Sequence, residues 1–464
     1  MKYRGKGKHL EITLKEVALP DFTVPEPPPA IGSGTYIARC NRAYATAHVD
    51  WLVVYGDREH YANLVYLTNF DPRFEEAILL LGPDGQRALL VGNEGLSYAG
   101  QARLPLNVLL CQSLSLMGQD RSRTPRIGDV LHDAGIGPGQ RVGVVGWKYL
   151  APEETNQAAG LPPQFFAPSV LVDTLRGLVG DATAVTDATP VLMHPVTGLR
   201  TANEPEQIAA FERGAARASA SVWNIVRGVR PGMSEYEAVA QMGYAGDTLA
   251  AHVLFNSGRG EIVGLRSPTA RVIADGDGIT TAVAHWGGLC ARAGLVAAED
   301  TAFVERVAIP YYRGTAAWYG TVHVGATGGE VYTAVTDALA AGGLHSALNP
   351  GHLTGHDEWI HSPITLGNTD RLTSGMAFQC DIIPTPLPDG WTMNGEDTVV
   401  FADAALRETL ARQYPALWGR ITARQAFMRD QLGLTLSDDV LPLSIIPAYL
   451  PPCWLRPNRV LTVA

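Results

Sequence analysis

The stretch GHLTGHDEWIHSPI, residues 351–364, places His352, His356 and His361 within ten residues, with Asp357 and Glu358 between them. Imidazole carries protons near neutral pH and also ligates metal ions, and carboxylates partner it in both roles. On a helix the HxxxH pair His352/His356 would face one way. The preceding Asn349-Pro350-Gly351 argues for a loop or strand instead, so that His356, Asp357 and Glu358 read as a solvated or cleft-rim loop. His352 and His361 are the candidate acid/base pair. The alternative is that both are hydrogen-bonded residues of a polar cleft.

Several elements must hold this stretch in place. Strand-like runs precede it (HVLFNSG, ARVIADGDGITTAVAHW and LCARAGLVA, from about residue 253) and follow it (MAFQCDIIPT and EDTVVFA). Helical spacing predicts helices over 208–229, stopping before Pro231-Gly232, over a segment capped by Ser234, and over 328–344. Residues 33–195 alternate strands with helices. DWLVVYG at 50–56 is one strand, two more flank the Pro83-Asp84-Gly85 turn, RVGVVGW at 141–147 is another, and a helix stops at Gly135. That pattern predicts a layered α/β domain. Residues 1–32 end in the Pro-rich LPDFTVPEPPPAIGSG and read as an extended arm placed to lie across a partner subunit. Residues 404–464 read as a helical tail ending in the apolar IIPAYLPPCWLRP.

Composition narrows the function classes. The formal net charge is −10 and no run of Lys and Arg occurs, which argues against nucleic acid as a partner. No apolar run is long enough to span a bilayer. The basic N-terminus lacks an apolar core and does not read as a secretory leader. Cys40, Cys111, Cys290, Cys380 and Cys453 lie far apart, odd in number and without a CxxC pair, so a reducing, cytoplasmic location is expected.

Taken in order, YLTNFDPRFEEAILLLGPDG, LRTANEPEQIAAFERGAARA, RGVRPGMSEYEAVA, TARVIADGDGI, GGEVYTAVTDALAAGGL, the GHxxG of 351–355, SGMAFQCDIIP and GEDTVVF resemble the creatinase and aminopeptidase P family. The resemblance runs over roughly residues 40–403. It implies an α/β (α+β) chain with a creatinase-like N-terminal domain at 33–195, after the arm at 1–32. A pita-bread domain at 196–435 and a C-terminal tail at 436–464 would follow.

Metal-dependent relatives hold two divalent ions with two Asp, one His and two Glu, in that order. Carried over by resemblance, the first Asp position falls at about Ala282 and the second most closely at Arg292. The His is His352, the first Glu is the shorter Asp381, and the second Glu is Glu396. The second conserved His is His361, whose accompanying Glu is replaced by Ser362. A guanidinium at 292 would oppose a divalent ion by several kcal/mol at an effective dielectric of ~20. No two-ion site is therefore expected, and no cofactor, with a divalent metal as runner-up. His356, Asp357 and Glu358 lie in an insertion of about two residues relative to the family spacing.

Creatinases are the metal-free precedent, but their catalytic His corresponds to about Leu265 here. The expected function is a metal-independent hydrolase of a small-molecule C–N bond (amide, amidine or guanidino), with His352 and His361 as acid/base. Substrate-binding candidates are Asp381, Glu396, Arg292, His285, Arg73 and Phe70. For Arg292 a structural ion pair filling an abandoned site is the competing reading, and for Arg73 a local pairing with Glu75 or Glu76. The resemblance also implies a homodimer in which the Phe70–Phe74 segment reaches the neighbouring subunit. The alternatives are an Xaa-Pro-type aminopeptidase with a rebuilt metal site, or a non-catalytic binding protein of the same fold.

Overall fold

The computed structural model describes residues 10–26, 29–155 and 162–464. The chain divides into two compact units. One is Ile31–Thr201, and the other takes the described residues up to Ala30 together with Ala202–Ala464. The second unit opens with β1 (Ile12–Glu16). The first holds β2 (Trp51–Gly56), β3 (Ala77–Leu81), β4 (Arg87–Val91), β5 (Asn107–Leu110), β6 (Val142–Val145) and β7 (Val185–Asp187). The second continues with β8 (Leu249–Gly258), β9 (Gly278–His285), β10 (Gly288–Leu295), β11 (His345–Ser346) and β12 (His352–Leu353). It ends with β13 (Ala377–Cys380), β14 (Pro384–Thr385), β15 (Asn394–Phe401), β16 (Val440–Pro442) and β17 (Arg459–Val463).

In the first unit the strands run β5-β4-β3-β2-β6-β7, a mixed sheet. WLVVYG is buried on both faces, as a central strand of an α/β layer must be. The β3–β4 turn uses the expected Pro83-Asp84-Gly85, with Asp84 at φ 56° and Gly85 at φ 76°. Helices Ile127–Asp133 and Ser169–Val179 press Leu131, Leu171 and Leu175 onto Trp51, Val53 and Ile78.

In the second unit the main sheet runs β12-β13-β15-β10-β9-β8, with β16 also on β15, and its pairings are antiparallel. The long helix Pro205–Gly228 starts on a proline and ends before Pro231-Gly232, as its spacing predicts. Ser234 and Thr327 each close a capping box, with Glu237 and Glu330, at the heads of helices Glu235–Ala240 and Gly328–Ala340. Helix Ile309–Thr321 is not foreseen from the sequence. Its IPYYRGTAAWYGT is aromatic-rich and poor in strong helix formers, and tertiary burial of Tyr311, Tyr312, Trp318 and Tyr319 overrides that propensity.

Two sequence expectations need correction. The N-terminal arm, whose residues 1–9 and 27–28 lie outside the described residues, does not stand apart from its own chain. β1 pairs antiparallel with β17, from Ile12 opposite Val463 to Glu16 opposite Arg459. Nor is the tail wholly helical. Helices Ala404–Gln413 and Pro415–Asp430 give way to β16 and β17, which pack into the same unit as the main sheet.

The register of β9, β10 and β15 decides which side chains meet. Ala282 pairs with Ala291, and Ala291 with Glu396, in one row. Successive side chains of a strand point to opposite faces, so Ala282, Ala291 and Glu396 share a face, and Arg292 and Asp397 lie on the other. There Arg292, 1% accessible, donates through Nη2 to both Asp397 oxygens at 2.9 Å. Its remaining donors reach the carbonyls of Tyr449, Ala291 and Glu396 at 3.1, 2.7 and 3.1 Å. The Ala448 amide also donates to Asp397 Oδ2. Removing one partner of a saturated buried pair strands the other's charge. Arg292→Met should therefore lower unfolding stability by about 3–5 kcal/mol, and adding Asp397→Leu should recover part of the loss in urea titrations. Near-parental stability of Arg292→Met with lost activity would return this residue to a substrate-binding role.

Candidate active site

Gly351 sets up the histidine. It sits at φ 116°, where a side chain is strained, and a Cβ there would lie 2.6 Å from the Gln379 carbonyl oxygen. That close approach lets β12 pair with β13, placing His352 opposite Gln379, which is itself opposite Thr398 of β15. Asp381 follows the end of β13 and Glu396 stands on β15. One ligating atom from each of His352, Asp381 and Glu396 lies within 4.8 Å of the others, and all three residues are buried.

These atoms are not spent on one another. His352 Nε2 is 3.4 Å from Glu396 Oε1 and 3.2 Å from Glu358 Oε1. Neither contact has hydrogen-bond alignment: His352 Nε2, Glu396 Oε1 and Asp381 Oδ1 are all buried without a hydrogen-bond partner. His352 Nδ1 lies 3.2 Å from the Leu353 carbonyl, which turns Nε2 toward the carboxylates. Burial pushes Asp381 up to about 6, with the His352 charge opposing. Burial and then the Asp381 charge raise Glu396 well above the carboxylate range. Burial works to lower His352, but Glu358 and Glu396 outweigh it and lift it to about 10. Three carboxylates thus face one imidazole: the cluster is short of positive charge.

The other sequence candidates lie elsewhere. Arg292 does not replace the missing cations. Ala291, one residue earlier, is the β10 residue paired with Glu396 and sharing its face. His361 is half-buried and tied by its backbone to Leu353, whose amide donates to its carbonyl at 2.7 Å, but its ring is not part of the three-residue group. His285 is 4% exposed, held by Nδ1 to the Thr248 carbonyl at 2.9 Å, with burial lowering its pKa. His356 is buried edge-on between Phe211 and Trp286. Trp318 and Tyr319 belong to the core. Phe70 and Arg73 are in the first unit, where they help line a cavity of about 440 Å³. Arg73 contacts Asp71 at 3.2 Å and the Tyr98 hydroxyl, and Phe70 is buried against Tyr98.

Two participants escape a reading of the sequence. Glu358 reaches His352 from the loop taken as solvated, and Trp359 stacks on the imidazole with centroids 4.0 Å apart. Their one sequence signal is the insertion itself, which places a carboxylate and an aromatic beside the histidine. On the other side, Ala282, Ala284, Leu289 and Ala291 form an apolar cluster with Ala250, Ala251 and Leu254 packed against it.

The donor set bears on metal. One imidazole nitrogen and two carboxylates, buried, convergent and without hydrogen bonds on the facing atoms, suit a single divalent ion. A second ion finds no aspartate at Ala282 or Ala291. The expected loss of the two-ion arrangement therefore does not amount to loss of every metal site.

The model of metallopeptidase family M24 matches residues 210–403. No curated protein matches the chain in sequence. Solved structures do match in fold. An Xaa-Pro dipeptidase from Bacillus anthracis is 14% identical with a TM-score of 0.60, over 81% of this chain and 96% of that one. A prolidase from Thermococcus sibiricus is 14% identical with a TM-score of 0.61, over 89% and 97%. An X-Pro aminopeptidase from Thermotoga maritima is 15% identical with a TM-score of 0.60, over 79% and 95%. At such identities these likenesses establish the architecture. The chain thus has the architecture of these enzymes, and its residues 210–403 carry the M24 sequence pattern.

Proposed function

We propose that the chain hydrolyses a C–N bond of a small molecule at the His352–Asp381–Glu396 cluster, with a cation making up the missing positive charge. The observation that supports this most is the convergence of three buried atoms, His352 Nε2, Asp381 Oδ1 and Glu396 Oε1, that have no hydrogen-bond partner. Buried polar groups left unpaired are costly, so such an arrangement is kept where a ligand completes it.

In the reading we favour, the cation is one divalent metal ion held by those three side chains. When bound, it polarises the scissile group and lowers the pKa of water. The chain's own residues do the rest. Ala282, Ala284, Leu289 and Ala291 exclude water beside the cluster and receive an apolar part of the substrate. His361, backbone-tied next to His352, passes a proton to the leaving nitrogen. Amide bonds before proline are the first to try, because two of the fold neighbours are named for Xaa-Pro substrates. The same proposal includes two copies assembling, with Arg73 and Phe74 of one lent to the other's substrate. The 71% exposure of Phe74 supports such a surface. Five free cysteines support a reducing, cytoplasmic location.

A second reading keeps the cluster metal-free. His352 and His361 move the protons, and Asp381 and Glu396 grip a guanidinium or amidinium. The alanines at 282 and 291, which offer no ligand, favour it.

The test is a panel of Xaa-Pro dipeptides, other amides, amidines and guanidino compounds, run before and after chelation and after Mn²⁺ or Zn²⁺ is added back. Turnover lost on chelation and restored by metal supports the one-ion reading. Turnover of a guanidino or amidino compound that survives chelation supports the second. A folded protein that turns over nothing overturns both and leaves a binding protein. Under either catalytic reading, His352→Ala should lower kcat by roughly 10²- to 10⁴-fold, with little change in melting temperature.

A further inference from the structure

Glu358 is a residue the chemistry above does not use. It sits in the loop between Leu353 and His361, and that loop is closed by its backbone. Leu353 N donates to the His361 carbonyl at 2.7 Å, Ile360 N to the Leu353 carbonyl at 3.0 Å, and Gly355 N to the Asp357 carbonyl at 2.9 Å. The carboxylate is therefore held rather than waving from a flexible tip. Its Oε1 lies 3.2 Å from His352 Nε2, closer than Glu396 Oε1 at 3.4 Å. Its side chain is 29% accessible, whereas His352 is 0% and Glu396 7%, so Glu358 closes the cluster on the side that solvent reaches.

The row Ala282–Ala291–Glu396 shows what Glu358 stands in for. The sheet supplies Glu396 and leaves two alanines where further oxygen ligands would have to come from. Hard divalent ions favour several oxygen donors, and an imidazole with two carboxylates leaves the coordination of such an ion incomplete. Glu358 lies outside the three-residue group whose ligand atoms are all within 4.8 Å of one another, so it would approach a bound ion from the loop rather than from β9 or β10.

We propose that Glu358 is a recruited ligand, so that the chain holds a single divalent ion through His352, Asp381, Glu396 and Glu358, with the inserted loop replacing carboxylates that the sheet lacks. This rests on the one-ion reading above. Trp359, stacked on His352 at 4.0 Å with an interplanar angle of 21°, positions the imidazole for it.

The test uses the full chain, stripped by chelation and titrated with Mn²⁺. Calorimetry gives affinity and stoichiometry, and the Mn²⁺ electron paramagnetic resonance signal gives free against bound ion. The parent should bind one ion per chain. Glu358→Gln should weaken binding on the order of 10- to 100-fold, with an unchanged melting temperature in the stripped state. The neighbouring Asp357→Asn should bind as the parent does. Parental affinity in Glu358→Gln overturns the role of Glu358 and leaves the one-ion reading standing. Binding of two ions, or of none, by the parent overturns that reading and this inference with it.

Discussion

The Arg292–Asp397 pair clamps β10 to β15 from the face opposite the site, and the register it holds places what the site contains. With Arg292 opposite Gly395, Ala291 must lie opposite Glu396 and Ala282 beyond it. A slip of one residue would turn Glu396 into the core and bring the guanidinium to the cluster. The clamp's hydrogen bonds to carbonyls and to both carboxylate oxygens make that slip expensive. The charge-rich face and the ion-paired face of the same strands thus depend on each other.

That one-residue distinction also marks how far the sequence could be read. Strands such as WLVVYG, the Pro83-Asp84-Gly85 turn and the cap at Ser234 were legible because their signals are local. His352, Asp381 and Glu396 were legible as a set through the family pattern. Whether position 291 or 292 faces Glu396 was not, because parity is fixed only once the partner strand is known. Glu358 was missed for a related reason: its partner is a buried imidazole reached through the closure of a loop, not through any periodicity. The helix at Ile309–Thr321 was hidden by aromatic residues whose burial, rather than propensity, makes it helical.

The cluster's electrostatics follow from the same layout. Carboxylates arrive from β13, β15 and the loop, while β9 and β10 present Ala282, Ala284, Leu289 and Ala291 beside them. An apolar wall lowers the local dielectric and so magnifies the repulsion among Asp381, Glu396 and Glu358 as well as their pull on any cation. The alanines at 282 and 291 therefore make His352, Asp381 and Glu396 more demanding, not less.

The pairing of β1 with β17 has its own consequence for how this chain matures. Thr13 and Thr462 meet across 449 positions of sequence. A nascent polypeptide emerging from the ribosome carries β1 while the 449 positions from Thr13 to Thr462 are made, without the strand that completes it. Closing so long a segment carries a large chain-entropy penalty, and contacts this remote slow folding. Until residues 459–463 are made, β1 exposes an open edge, the kind of edge that chaperones shield and that neighbouring chains on a polysome can capture.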